Sequence, residues 1–534
     1  MASGDLWLLL LGPAGLFGVG TCGHILSRND ALRLNRFAIG AAILALVMAF
    51  AAVLRVAYAG TIHTATAGAH GIGFSLYLDD ISVAMFCLVS FVGLVVINYS
   101  RNYMDGDPRQ SAFTRFLCLT LTAILLVIIS GNLLQLALAW IATSVALHRL
   151  LIFYPERPAA VIAARKKFIA SRISEACLIG SGILLYRQFG TLDYTTLFAA
   201  ADALRAAGRL PHAMHYAALL LVIAAMLTSA QFPLHGWLIE VMETPTPVSA
   251  LLHAGIINAG GFLLLRLAHV VSLSLPSLDV LAIVGGVTAL FGSVVMLTQT
   301  SIKVSLAYST IAQMGFMMLE CGLGAFSAAL LHIVAHSLYK AHAFLSSGSV
   351  IDIARASWTP SPGGKPHPLR MFIAIAGVLL ITFAVSVIFG ATLQQRPGVF
   401  ALAAVLLLGL THLVANGIDE RPNLYVVART VVLAAATACV YFALQLAAER
   451  LLAASLPPSP AARGPIDIAI VSAVILSFAT VVFLQGLVPR HAGEPKWQAL
   501  YAHVANGFYV NTIANRLVLR LWPSPPHLAI AGRL

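Results

Sequence analysis

The chain has 534 residues, 60% of them hydrophobic and 10% charged, whereas soluble domains carry about 25% charged residues. No water-soluble core hides that much apolar surface, so a soluble enzyme is excluded and helices are counted before domains. The net charge of +12 would suggest nucleic acid in a soluble protein; here Lys and Arg gather in short loops between apolar runs, which reads as membrane topology with no nucleic-acid partner.

Runs of about 20 apolar residues suffice to cross a hydrocarbon core about 30 Å thick. They predict fifteen spans, near residues 5–26, 34–58, 79–100, 111–130, 132–154, 164–186, 214–242, 246–268, 278–299, 302–320, 325–349, 370–394, 399–416, 425–448 and 467–488. The first run, from Leu6, lacks the basic flank of a signal peptide and is read as a retained helix. Arg28, Arg33 and Arg36 occupy the first loop, Arg101, Arg109 and Arg115 flank the third, and Arg157, Arg165, Lys166 and Lys167 mark the fifth. The second loop, residues 59–77, has no Lys or Arg. By the positive-inside rule the odd-numbered loops are cytoplasmic and the N-terminus lies outside. The C-terminal tail, basic through Lys496, Arg516, Arg520 and Arg533, lies in the cytoplasm.

The seventh span is interrupted, because Pro233 and Gly236 fall within the stretch from Gln231 to Trp237. Broken helices at membrane depth are tolerated where protein or water satisfies the freed carbonyls, and they often mark ion paths. A proline kink stabilised by neighbouring helices is the plain alternative. Residues 187–213 and 353–369 read as linkers. Beyond Arg490, Trp497, Leu500, Tyr501, Val504, Phe508 and Tyr509 recur at near-helical spacing, which predicts an amphipathic helix lying on the membrane or on a partner.

A charge at mid-bilayer costs at least a few kcal/mol, so each buried ionisable group is a functional candidate. His332, His336 and Lys340 are spaced i, i+4, i+8 in one apolar run and share nearly one helix face. Such a row can pass protons through intervening water, since imidazole titrates near neutrality; the alternative is that all three simply hydrogen-bond neighbouring helices. His253 is a lone histidine in an apolar span, a structural core residue or a member of the same path. Arg172 and Glu175, three apart in the sixth span, can pair and so lower the cost of burying both. Lys303 opens the tenth span and either joins the path or snorkels to the interface. The six cysteines are scattered, with no CxxC pair or metal-ligand spacing. There is no Walker A loop, HExxH or GxSxG, so no ATP-driven chemistry or cofactor site is expected in this chain.

These motifs carry a resemblance. Tyr77 to Ser82 with Tyr99 to Met104, Ser229 to Leu238 continuing through Thr244 to Ala254, Thr298 to Lys303 with Leu306 to Thr310, and His332 to Gly348 resemble the proton-conducting, antiporter-like superfamily that includes subunit L of respiratory complex I. The resemblance is strong over residues 75–350. It implies an all-α polytopic membrane protein with two inverted five-helix repeats, each with a broken helix. The corresponding division is residues 1–110 for N-terminal helices, 111–268 and 278–416 for the repeats, 425–488 for C-terminal helices and 489–534 for the tail. It also implies that His253, Lys303, His332, His336 and Lys340 match the central proton path and Glu175 a carboxylate near its entrance. Two family positions are lost: a glutamate after the tryptophan of the fifth span is Ile141, and a lysine before Ser-Ala-Gln in the seventh is Thr228. The stretch from Met371 to Gln395 has no ionisable side chain, where the family has a lysine for the outer exit.

The tail from Trp497 to Val510 is similar to that of the DabB branch, the membrane subunit of a bacterial inorganic carbon uptake complex. That similarity implies a DabA-like partner resembling a zinc β-carbonic anhydrase, with the zinc in the partner. A complex I or Mrp-type cation/proton antiporter subunit, and a non-conducting membrane anchor, stay open as alternatives.

Overall fold

The structure is a computed structural model that describes residues 3–26, 31–69, 72–208, 210–347, 368–411, 414–415, 424–458, 464–491 and 493–522. In hydrocarbon every backbone N–H and C=O must be paired within its own segment, and the apolar runs accordingly form helices. A 3-10 helix, Ser3–Leu10, leads into α1 (Leu11–Leu26); α2 (Ala31–Ala59), α3 (Asp80–Tyr103), α4 (Gln110–Ile129), α5 (Leu133–Leu151) and α6 (Pro158–Phe189) follow. Next come α7 (Tyr194–Ala207), α8 (His212–Thr228), α9 (Gly236–Glu240), α10 (Thr246–Ala254), α11 (Ala259–Arg266) and α12 (Ala268–Val271). The second half holds α13 (Leu275–Met296), α14 (Ile302–Gly322), α15 (Phe326–Leu345), α16 (Pro368–Ile388), α17 (Pro397–Leu408), α18 (Leu424–Leu451) and α19 (Pro465–His491). The tail forms α20 (Pro495–Ala505) and α21 (Val510–Leu521).

Among the described residues, 11 helical segments are long and apolar enough to cross a membrane, with α8 and α17 apolar but shorter. The chain is a multi-pass helical membrane protein. Helices α14 and α15, of 21 and 20 residues, have spanning length and carry the polar row between them.

In the second loop β1 (Ile62–His63) pairs with β4 (Tyr77–Leu78), and β2 (Ala67–Ala69) with β3 (Ile72–Phe74), both antiparallel. Three expectations are corrected. The linker at 187–213 contains α7, whose N-terminus is capped by Asp193 accepting from the Thr195 and Thr196 amides. Lys166 and Lys167 are not loop residues, since α6 begins at Pro158 and buries both. The tail is two helices, because Gly507, Phe508 and Tyr509 take left-handed backbone conformations in succession and turn the chain. The linker at 353–369 lies outside the described residues up to Pro368.

Helices α13 and α14 pack backbone to backbone through small residues at seven-residue spacing. A Cβ added at Gly315 would lie 2.3 Å from the Ala289 nitrogen, and one at Gly322 would lie 2.4 Å from the Ala282 nitrogen. Small residues let membrane helices approach until dispersion forces replace the missing hydrophobic drive. A buried ion pair ties the start of α3 to α11: Arg266 donates Nη1 to Asp79 Oδ2 at 2.9 Å and Nη2 to Asp79 Oδ1 at 3.1 Å. Both side chains are 1% exposed. This two-pronged geometry is what offsets the desolvation of two buried charges.

Candidate ion path

The expected break in the seventh span is present. Helix α8 ends at Thr228, the chain passes through Ser229 to His235, and α9 resumes at Gly236. Pro233 lies in the gap, where it removes no helical hydrogen bond. The next segment is interrupted too: α10 stops at Ala254, residues Ile256–Asn258 form a 3-10 turn, and α11 restarts at Ala259. The freed Ile257 carbonyl accepts from Ser229 Oγ at 2.9 Å, so the two breaks satisfy one another.

His332, His336 and Lys340 lie along α15 as their spacing requires, with the first two rings 6.0 Å apart. Lys340 is fully buried. Its Nζ donates to the Leu306 carbonyl at 3.1 Å and to Ser309 Oγ at 2.6 Å, both on α14. His253 joins this end of the row: its Nδ1 lies 2.9 Å from Thr310 Oγ1, and its ring stacks on Phe344 with centroids 4.3 Å apart. Thr310 in turn donates to the Leu306 carbonyl at 3.0 Å. Asn258, in the interruption, donates to Ser337 Oγ of α15 at 2.8 Å. Lys303 sits one turn before Leu306 and reaches Thr246 Oγ1, at the start of α10, at 3.4 Å.

At the other end of the row stands Glu320, which the sequence reading missed. Its Oε1 lies 2.8 Å from His332 Nδ1, and the carboxylate is 5% exposed. The signal was available, since an acidic residue closing an apolar span is as costly as a histidine within one. Close to the first residues of α15, Gln445 of α18 donates to Ser327 Oγ at 2.8 Å, and one turn along α18 Glu449 pairs with Arg396. These groups supply ionisable side chains near the end where residues 371–395 have none. Among the described residues, Nε2 of His253, His332 and His336 and Oε2 of Glu320 are buried without a hydrogen-bond partner.

Arg172 and Glu175 pair at 2.6 Å, and Arg172 also donates to Ser144 Oγ at 3.0 Å. Thr228 Oγ1 lies 3.1 Å from Ser174 Oγ, while Ile141 on α5 supplies no charge there. Lys166 pairs with Glu240 of α9 at 2.6 Å. Asn511 and Asn515 of the tail bracket this pair: each accepts from Lys166, at 2.7 and 2.6 Å, and each donates to Glu240 Oε1, at 3.0 and 2.6 Å. The polar face of α21 therefore docks on the broken helix, with Ile513, Leu517 and Leu521 exposed on its opposite side.

A buried row of titratable groups set beside two interrupted helices defines a membrane subunit of the antiporter-like class. Residues 130–359 match the family described as NADH:quinone oxidoreductase/Mrp antiporter, TM, and residues 65–117 match the N-terminus of complex I chain 5. The Mrp complex from Dietzia sp. shares the fold, at a TM-score of 0.64 and 22% identity over 98% of this chain and 61% of that one. A relative from Halothiobacillus neapolitanus, named "Probable inorganic carbon transporter subunit DabB2", is 40% identical over 86% of this chain and 82% of its own length. A second, from Hydrogenovibrio crunogenus and named "Probable inorganic carbon transporter subunit DabB", is 39% identical over 84% and 83%. The chain belongs to the DabB family.

Proposed function

We propose that the chain is the proton-conducting membrane subunit of an energy-coupled inorganic carbon uptake complex in a bacterial inner membrane, with its N-terminus periplasmic and its tail cytoplasmic. Protons moving down their gradient pass through the row from Lys340 to Glu320. That flow energises one-way hydration of CO2 to bicarbonate in a soluble, DabA-like partner that holds the zinc. The exposed stripe of Ile513, Leu517 and Leu521 is the surface the partner uses.

The observation that carries this reading is the row of Lys340, His336, His332 and Glu320, largely buried, in a chain whose relatives bear inorganic carbon transporter names. Coupling requires that protonation favour one of two conformations sensed by the partner. Replacing Lys340 by Met abolishes carbon-dependent growth while the complex still assembles; unchanged growth refutes the reading.

A second reading, a complex I or Mrp-type antiporter subunit, is favoured by the match over residues 130–359. Ile141 and Thr228 weigh against it, since they replace both members of the entrance pair that the resemblance implies. A gentle purification that recovers NADH dehydrogenase or Mrp subunits with this chain would establish it.

A further inference from the structure

The entrance pair is lost, yet the space beside Thr228 is not filled. A cavity there has about 40 Å³ open to the centres of water molecules, and about 10–15 Å³ of such volume holds one water. Its wall is largely apolar, with Ile124, Val127 and Leu147, and the polar groups on it are Thr143, Ser144, Lys167, Ser171 and Thr228. Ile256, which opens the 3-10 turn after His253, and Ala259, which follows it, line it as well.

Lys167 is 7% exposed. Its Nζ sits 4.6 Å from the centre of the Trp237 ring, on the half-helix α9. A lysine in apolar surroundings is costly unless its charge is matched or its proton can leave. Along α6, Lys167, Ser171, Ser174 and Glu175 are all buried, and their i, i+4, i+7, i+8 spacing sets them on one face. Two serine hydroxyls thus lie along this face between the amine and the Glu175 carboxylate, whose partner Arg172 is anchored on Ser144. The turn at Ile256–Asn258, which borders the cavity through Ile256, reaches the helix of the central row through Asn258 and Ser337.

We infer that Lys167 is the ion-loading group of this chain: a lysine on α6 that faces the cavity beside Thr228 and hands protons, through water held there, from Glu175 toward His253 and Lys340. The inference rests on the proton-conducting reading above and names where the path begins. No bond other than N–H and O–H bonds is made or broken, and each proton leaving the amine is replaced from the Glu175 side. The cation–π contact with Trp237 exists only while Lys167 is charged, so loading also registers on the half-helix that carries Glu240.

The test is charge relocation, because Lys167 and Thr228 open on the same cavity from different helices. Proton flux is measured in proteoliposomes containing the full chain. K167A lowers flux by roughly a hundredfold, the scale of losing one positioned proton-transfer group. The double variant K167A/T228K restores most of it, which a purely structural role for Lys167 cannot explain. If K167A carries wild-type flux while K340M carries none, the loading role is overturned and the conducting reading stands. If K167A loses flux and the relocated lysine fails to restore it in a protein of normal thermal stability, the loading role is also overturned. Absence of flux in the wild-type chain overturns the conducting reading itself.

Discussion

His332 Nδ1 and Glu320 Oε1 lie 2.8 Å apart, joining α14 to α15 at the end of the row opposite Lys340. The carboxylate is buried and the imidazole nearly so, so the contact fixes the ring and gives the carboxylate a hydrogen-bond partner. Glu320→Gln retains the shape and a hydrogen bond but removes the charge. Proton flux in that variant falls at least about tenfold, if the group takes part in transfer as positioned acids do, while the amount of assembled protein is unchanged. Wild-type flux in E320Q would remove Glu320 from the path.

The Asp79–Arg266 pair has a different role, because it lies at the start of α3, away from the row. Removing one partner of a buried ion pair costs about 3–5 kcal/mol, whereas replacing both by apolar residues of similar volume is often neutral. D79A or R266L is therefore expected to lower thermal stability in detergent sharply, and D79L/R266M to recover most of it. Equal loss in the single and double variants would contradict this account.

Gly315 has no room for a side chain against α13. Adding even a methyl group forces the helices apart, and overpacking of this kind costs about 1–3 kcal/mol. G315A is expected to unfold at lower temperature, with G377A, where a Cβ meets nothing within 4 Å, as the neutral control. Matching melting curves for the two would show that the helix pair adapts.

A Cβ at Gly236 would lie 2.0 Å from Asn511 Oδ1, so G236A displaces the side chain that clasps the Lys166–Glu240 pair. The tail is then held by fewer contacts. Trypsin is expected to cut at Arg516 and Arg520 several times faster in G236A and in N511A/N515A than in the unaltered chain. Unchanged cleavage rates would mean that other tail contacts, such as Gln299 donating to the Ala505 carbonyl at 3.0 Å, hold it without the asparagines.

Much of the architecture was legible because hydrocarbon enforces a simple rule: apolar length gives a helix, and Pro233 with Gly236 inside such a length gives a break. His332, His336 and Lys340 could be read for the same reason, since i+4 spacing places side chains on one face regardless of context. What could not be read is pairing between distant segments. Nothing near Lys166 in the chain announces Glu240, Asn511 and Asn515, and Lys166 and Lys167 looked like loop residues because their neighbours in sequence are basic. The reversal at Gly507–Tyr509 was hidden because Phe508 and Tyr509, large residues that disfavour left-handed conformations, extended an apparently regular helical pattern. Glu320 was legible and overlooked, masked by the apolar methionines that precede it.

The Leu306 carbonyl accepts from both Thr310 and Lys340, and this ties the nearby histidine to the lysine through one oxygen. When Thr310 gives its hydrogen to that carbonyl, it meets His253 Nδ1 as an acceptor, and a neutral ring then carries its hydrogen on Nδ1. Nε2 then presents a bare lone pair. In that arrangement His253 faces the row as a base, while Lys340, when charged, donates to Leu306 and Ser309. One peptide oxygen thus links the hydrogen-bond choices of Thr310, His253 and Lys340, so a change of proton at any of the three bears on the other two.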